Sequence, residues 1–165
     1  MKPSPDANEN ISPFEKLLAA LAAGGVDFAV AGGVAVILNG YPRLTLDVDI
    51  LVGQGDENIR KLLNCLAQWG EGWARELKVE DFSPQPGAIR VTEEFDLDIF
   101  TQMDGKPLDY FRPRLRHMRT GLVTIPYLAP EDLVHLKQHS WREKDKLDAA
   151  AMKEVIDREN KARRH

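Results

Sequence analysis

The fold is decided by residues 28–52, which read FAVAGGVAVILNGYPRLTLDVDILV. Phe28–Ala31 is a short apolar run that glycine follows, which predicts a buried strand. The next two residues, Gly32-Gly33, predict a turn into a helix over Val34–Asn39. A strand, a glycine turn and a helix in this order indicate an α/β unit.

The strand predicted next covers Leu44–Val52 and has one apolar and one acidic face. Asp47 and Asp49 stand two positions apart, so both side chains project to the same face. Neighbouring carboxylates repel each other and are costly to bury, and a divalent cation that prefers oxygen ligands would compensate. For this pair taken alone, a solvated strand face is the alternative.

A later strand, predicted over Phe95–Phe100, repeats the acidic pattern with Asp96 and Asp98. Two such strands side by side would bring three or four carboxylates together. That arrangement favours a two-metal site, which can activate an attacking oxygen and steady a leaving phosphate. The glycines before the first predicted helix suit a phosphate, although a plain strand-to-helix turn also explains them.

The rest of the chain predicts further helices and strands around this unit. Helices are predicted to begin at Ser12, Glu57, Pro130 and Glu143, and strands to cover Glu76–Val79, Ala88–Thr92 and Val123–Tyr127. The predicted fold class is α/β (α+β): a small mixed β-sheet flanked by helices, with a helical C-terminal extension. We expect a mobile N-terminal arm at residues 1–10, a core at 11–128, and C-terminal helices at 129–165 that pack on the core.

Composition excludes several classes of protein. With 43% hydrophobic and 29% charged residues, the chain can bury a core. A net charge of -4 argues against a general DNA-coating protein. The longest apolar run, residues 28–38, is too short for a membrane span, which needs roughly 20 residues. The single cysteine, Cys65, forms no internal disulfide, and we expect a cytoplasmic protein without membrane association.

The motif spacing resembles a known superfamily. Gly32-Gly33, then thirteen residues, then Asp47-x-Asp49 and a later strand aspartate resemble the nucleotidyltransferase fold of the DNA polymerase β superfamily. The chain is similar in particular to its small prokaryotic members, which include the abortive-infection (AbiEii-type) toxins. These often carry a helical lysine and then an Arg-x-Lys-Asp-x-x-Asp run, which Lys137 and residues 142–148 match.

The resemblance implies a set of metal ligands. Asp47 and Asp49 would bind two Mg²⁺ ions, with Mn²⁺ as an alternative, and would be catalytic residues. Asp98 would be the third catalytic carboxylate and metal ligand, because the family's third aspartate often precedes two apolar strand residues. Asp96 is its rival for that position.

The resemblance also implies nucleotide contacts. Gly32 and Gly33 would hold the triphosphate by backbone contacts, and Lys137 would meet the nucleotide phosphates. The family's motif has glycine or serine at its second position. This chain has glycine there, so a hydroxyl contact is missing, although backbone N–H groups can still serve. Arg43 and Thr45, on the approach to the acidic pair, are further candidates for nucleotide binding, with a surface arginine as the alternative for Arg43.

Together these residues indicate an enzyme that transfers a nucleoside monophosphate from an NTP to a hydroxyl or phosphate acceptor and releases pyrophosphate. The acceptors left open are tRNA, a protein side chain and a small molecule such as an antibiotic. The toxin-like relatives favour tRNA, with a cognate antitoxin or another protein as a partner. A non-catalytic nucleotide- or metal-binding regulatory module and a metal-dependent phosphohydrolase are the alternatives. The basic run over 112–119 is a candidate RNA contact or an ordinary exposed face. The spacing of Lys144 and Asp148 predicts an intrahelical ion pair, and the alternative for this run is that Arg142 and Asp145 orient Lys137.

Overall fold

The fold is built on one six-stranded mixed sheet. A computed structural model describes residues 5–164, with side chains described from residue 13 onward. The strands are β1 (Phe28–Ala31), β2 (Asp47–Val52), β3 (Ala88–Thr92), β4 (Asp96–Phe100), β5 (Arg116–Thr120) and β6 (Val123–Tyr127). They lie in the order β3-β4-β2-β1-β6-β5. β2 is parallel to β4 and β1 is parallel to β6, and the other neighbours are antiparallel.

Helices flank this sheet, as the predicted fold class requires. They are α1 (Pro5–Ala23), α2 (Gly32–Leu38), α3 (Asp56–Leu66), α4 (Leu108–Phe111), α5 (Pro130–Lys137) and α6 (Glu143–Arg163). The last two pack on each other and on α2. Over residues 5–164, no helix combines the length and the apolar content that crossing a membrane requires.

The pairing of β2 with β4 positions the acidic residues. In register, Asp47 lies opposite Asp96 and Asp49 opposite Asp98. The alternate residues of the two strands, Val48, Ile50, Leu97 and Ile99, are at most 1% exposed and belong to the hydrophobic core. Because successive side chains of a strand point to opposite faces, burying these four residues gathers the aspartates on the other face.

β2 is shorter than predicted. It begins at Asp47 rather than at Leu44, and Leu44 and Leu46 are 85% and 86% exposed. The register with β4 ends at the pair Asp47–Asp96, so the two leucines lie beyond the paired part of the strand. Residues 44–46 therefore show the alternation of a strand in their sequence but form none, because no neighbouring strand pairs with them.

Two further expectations were wrong. Residues Glu76–Val79 form no strand; short 3-10 turns at Trp73–Glu76 and Val79–Phe82 occupy this region. The first helix begins at Pro5 rather than at Ser12, because a proline fits the first turn of a helix, where its missing N–H costs little. Residues 5–10 of the expected arm are therefore helical, and residues 1–4 lie outside the described part of the chain.

A buried asparagine joins the end of α2 to the segment after β6. The Asn39 amide donates hydrogen bonds to the carbonyl oxygens of Ala35 and Leu128, each at 2.9 Å. Asn39 is 8% exposed, so water cannot readily replace either bond. The contact fixes the chain where β6 leads into α5.

We expect Asn39→Ala to lower the free energy of unfolding by about 1–2 kcal/mol, because the Leu128 carbonyl loses its buried donor. Urea unfolding followed by circular dichroism measures the change. Asn64→Ala, an exposed position on α3, is the matched control and should change stability little. Equal effects of the two substitutions would contradict this role of Asn39.

Candidate active site

Three carboxylates meet at one face of the sheet. Oxygen atoms of Asp47, Asp49 and Asp98 all lie within 4.8 Å of one another. Asp96, the rival third carboxylate, lies outside this group and accepts a hydrogen bond from the Thr92 hydroxyl at 2.7 Å. The structure therefore brings together the three aspartates that the sequence predicts as ligands.

The cluster holds excess negative charge. The pKa of Asp49 is raised from its ordinary value of 3.8 to about 7. Burial is the largest cause, followed by repulsion from Asp47 and Asp98, and Lys137 opposes the shift only in part. Three closely spaced carboxylates are the hard oxygen ligands that Mg²⁺ prefers, so the donor set fits a divalent cation.

An arginine that the sequence analysis did not select contacts this cluster. Arg90 lies opposite Asp98 in the β3–β4 register. Its Nε and Nη2 donate to the two oxygens of Asp98 at 2.8 Å and 2.9 Å. Hydrogen bonding to Asp98 raises the pKa of Arg90 still further. Pairing Ala88–Thr92 with the next strand as a hairpin would have found this contact, because it places residue 90 opposite residue 98.

Gly32 and Gly33 lie close to β2 and to the segment that precedes it. Gly32 has a φ of +60°, and a Cβ there would lie 2.1 Å from Oδ2 of Asp49. A Cβ on Gly33 would lie 2.4 Å from Nη2 of Arg43 and 3.2 Å from Oγ1 of Thr45. Any side chain at either position would collide with a candidate site residue. The glycines stand in the first turn of α2 rather than before the helix.

A buried ion-pair network lies beside the glycines. Asp148, 1% exposed, accepts from Nη2 of Arg43 at 3.1 Å and from Nζ of Lys137 at 2.8 Å. Nζ of Lys137 also donates to Asp145 at 3.1 Å, and the Ser140 hydroxyl donates to Asp145 at 2.8 Å. One buried carboxylate thus fixes two candidate nucleotide-binding cations.

The predicted intrahelical pair between Lys144 and Asp148 is wrong. Asp148 points inward to Arg43 and Lys137 instead. A buried carboxylate needs partners that are themselves withdrawn from water, and the side chains of Arg43 and Lys137 are only 14% and 12% exposed.

A pocket of about 460 Å³ opens in front of Asp49. Its wall includes Gly32, Asp49 and Lys137, three residues that the sequence assigns to one site. Arg142 and Asp145 from the C-terminal region also line it. The pocket therefore places acidic and basic side chains around a single space of the size of a small ligand site.

The basic run over 112–119 is largely neutralised. Its first three arginines form ion pairs of 2.6–2.9 Å: Arg112 with Asp27, Arg114 with Asp132 and Arg116 with Glu159. These pairs tie the run to neighbouring elements, which supports an ordinary structural face over a free RNA contact.

Comparisons with known proteins agree with the fold. Residues 15–160 match the family described as "Nucleotidyltransferase of unknown function (DUF6036)". A candidate nucleotidyltransferase from Thermotoga maritima has a TM-score of 0.53 and 15% identity, over 95% of this chain and 94% of that one. An antigenic nucleotidyltransferase-like protein from Paracoccidioides brasiliensis has a TM-score of 0.50 and 18% identity, over 90% of this chain and 76% of that one. At these identities the likeness concerns the fold alone.

No curated protein sequence matches the chain. The expected nucleotidyltransferase fold is confirmed by the solved structures. The narrower AbiEii-type assignment stays a prediction, because the description of the matched family does not name that group.

We expect Asp49→Asn to stabilise the metal-free protein at pH 8. The pKa of Asp49 is higher in the folded than in the unfolded chain, so stability falls as the pH rises from about 3.8 to about 7, and the loss is complete at pH 8. Removing the charge should add about 2 kcal/mol, which raises Tm by roughly 4–8 °C in a chain of this size.

Thermal unfolding in the presence of a chelator measures this shift. Asp157→Asn, an exposed position on α6, is the matched control. The advantage of Asp49→Asn should shrink steadily as the pH falls from about 7 towards about 4, because the wild-type carboxyl is then protonated first in the folded and finally also in the unfolded chain. An unchanged or lower Tm at pH 8 would contradict the electrostatic description of the cluster.

Proposed function

The chain belongs to a family of nucleotidyltransferases of unknown function, and from that premise we propose a specific reaction for it. The protein transfers a nucleoside monophosphate from an NTP to a hydroxyl or phosphate acceptor and releases pyrophosphate. The observation that carries the proposal is the cluster of Asp47, Asp49 and Asp98 beside a pocket that also contains Lys137. Acidic metal ligands next to a phosphate-binding cation are what phosphoryl transfer needs.

Asp47, Asp49 and Asp98 would hold the divalent cations, Mg²⁺ or Mn²⁺. When bound, these ions activate the attacking oxygen and neutralise charge on the phosphates. Asp98 is 8% exposed and sits deepest in the cluster, and Thr45 donates to Asp47 at 3.2 Å, which restrains that carboxylate. The ligands are thus held in place before a substrate arrives, and such positioning is the main contribution of a protein to this chemistry.

Lys137 and Arg43 would bind the phosphates of the NTP. Both cations are held by Asp148, so neither has to be ordered when the nucleotide binds. Lys137 also lines the pocket in front of Asp49, as does Gly32. The closeness of Gly32 to Asp49 would allow the triphosphate to approach the backbone and the metal ligands at once.

The acceptor is proposed from the resemblance alone. The toxin-like relatives favour tRNA, with a cognate antitoxin as a further partner, and a cytoplasmic location goes with both. The ion pairs of the basic run give no support to an RNA contact at that surface. The acceptor therefore has to be identified by an unbiased experiment.

The first test incubates the pure protein with Mg²⁺, each α-labelled NTP in turn, and an extract of total RNA and protein. We expect wild-type protein to move label into RNA or protein, and Asp47→Asn to lose that transfer because a metal ligand is gone. Circular dichroism checks that the variant is folded. Release of free phosphate without an acceptor would favour a phosphohydrolase. Nucleotide-dependent stabilisation without any product would favour the binding module.

We expect Lys137→Met to raise the KM for NTP by about tenfold or more. A charge-assisted hydrogen bond to a phosphate contributes roughly 1.5–3 kcal/mol, and about 1.4 kcal/mol is tenfold in affinity. Lys146→Met is the matched control, because Lys146 is 54% exposed and pairs with Glu143 on the same helix. Steady-state kinetics with the labelled NTP compares the two. Similar KM values for both variants would remove Lys137 from the nucleotide site.

A further inference from the structure

Arg90 contacts the carboxylate cluster, and the proposed reaction assigns this arginine no role. Its Nη2 lies 2.9 Å from an oxygen of Asp98 and 3.9 Å from an oxygen of Asp47, two of the three proposed metal ligands. Its Nη1 lies 3.4 Å from Asp96. The guanidinium therefore stands between carboxylates that a bound cation would share.

We propose that Arg90 is a displaceable counter-ion of the cluster, which neutralises Asp98 and Asp47 and competes with a divalent cation for them. The inference rests on the proposed metal site and adds a residue that controls its loading. The guanidinium donates one hydrogen bond to each oxygen of Asp98, so both oxygens of this carboxylate are engaged by Arg90. A divalent cation placed a few Å from a guanidinium is repelled by it, and more strongly where water is excluded.

Arg90 is more exposed and less constrained than the other cations near the cluster. Its side chain is 55% exposed and stands on β3, a strand at the edge of the sheet. Arg43 and Lys137, by contrast, are fixed by the buried carboxylate of Asp148. Returning an exposed guanidinium to water costs little, whereas withdrawing a buried cation from its partner costs much more.

The surroundings of Arg90 offer it a second position. It borders a groove of about 530 Å³ on the side of Asp47 and another of about 370 Å³ beside Trp73. The second groove is also lined by Glu76, which is an exposed residue. A guanidinium that leaves Asp98 can therefore turn into an open groove with an acidic partner, while the incoming divalent cation would neutralise the buried carboxylate of Asp98 in its place.

This competition predicts how the site takes up metal. While Arg90 holds Asp98, a free divalent cation meets a site that is already partly neutralised, and it binds weakly. A cation that arrives with a triphosphate brings negative charge, which offsets the repulsion from Arg90. Metal loading should then follow nucleotide binding.

The test is a Mn²⁺ titration of the full chain without nucleotide, with free Mn²⁺ measured by electron paramagnetic resonance. We expect Arg90→Gln to bind Mn²⁺ about tenfold or more tightly than wild type, because the competing charge is removed. Arg112→Gln is the matched control. Arg112 is 46% exposed and makes a comparable paired contact with Asp27, and its loss changes the net charge equally. It should leave the affinity unchanged.

Arg90→Thr serves as a second variant, since threonine suits an exposed strand position if glutamine disturbs the edge strand. Mn²⁺ binding that is no tighter in Arg90→Gln and Arg90→Thr than in wild type, yet is lost with Asp47→Asn, would overturn the competition and leave the proposed metal site intact. Binding that is insensitive to Asp47→Asn in both the wild-type and the Arg90→Gln background would overturn the metal site and the competition together.

Discussion

Repulsion among the carboxylates of the central strands is the constraint on which the rest of the structure depends. Parallel pairing of β2 with β4 places Asp49 opposite Asp98, and the buried residues between them prevent the strands from separating. Since the backbone cannot relieve the repulsion, neighbouring elements supply cations: Arg90 from β3 and Lys137 from α5. The hydrophobic core therefore stabilises an acidic cluster that would not hold together by its own interactions.

The C-terminal helices carry a second buried negative charge that needs partners. Asp148 on α6 is almost fully buried, and it is tolerated there because Arg43 and Lys137 both bind it. Removing either cation would leave a buried charge only partly paired, which is costly. The ion pairs therefore link the loop before β2 and the end of α5 to the first part of α6 through the carboxylate of Asp148. They make these helices part of the site rather than an appendage to it.

Much of the fold could be predicted from residues 28–52 and the second acidic strand, because alternation and glycine turns are local signals. The limits of β2 could not. Leu44 and Leu46 continue the alternation, yet the neighbouring strand ends opposite Asp47, and alternation does not reveal where a partner stops. The sequence predicted that Asp47, Asp49 and Asp98 come together from two neighbouring strands, and in the structure their oxygen atoms lie within 4.8 Å of one another. Arg90 was missed because its contact with Asp98 depends on cross-strand register rather than on spacing along the chain.

The bond between Arg43 and Asp148 joins residues that are 105 positions apart. During synthesis, β1, β2 and β4 leave the ribosome well before α6 does. A nascent chain can therefore pair its acidic strands while Arg43 still lacks its buried partner. Arg43 and Lys137 gain their shared partner Asp148 only when the final helix docks, so an unfinished or C-terminally truncated product would carry the acidic cluster without the carboxylate that holds these two cations. Because α6 is synthesised last, the sheet can fold before Asp148 pairs with Arg43 and Lys137.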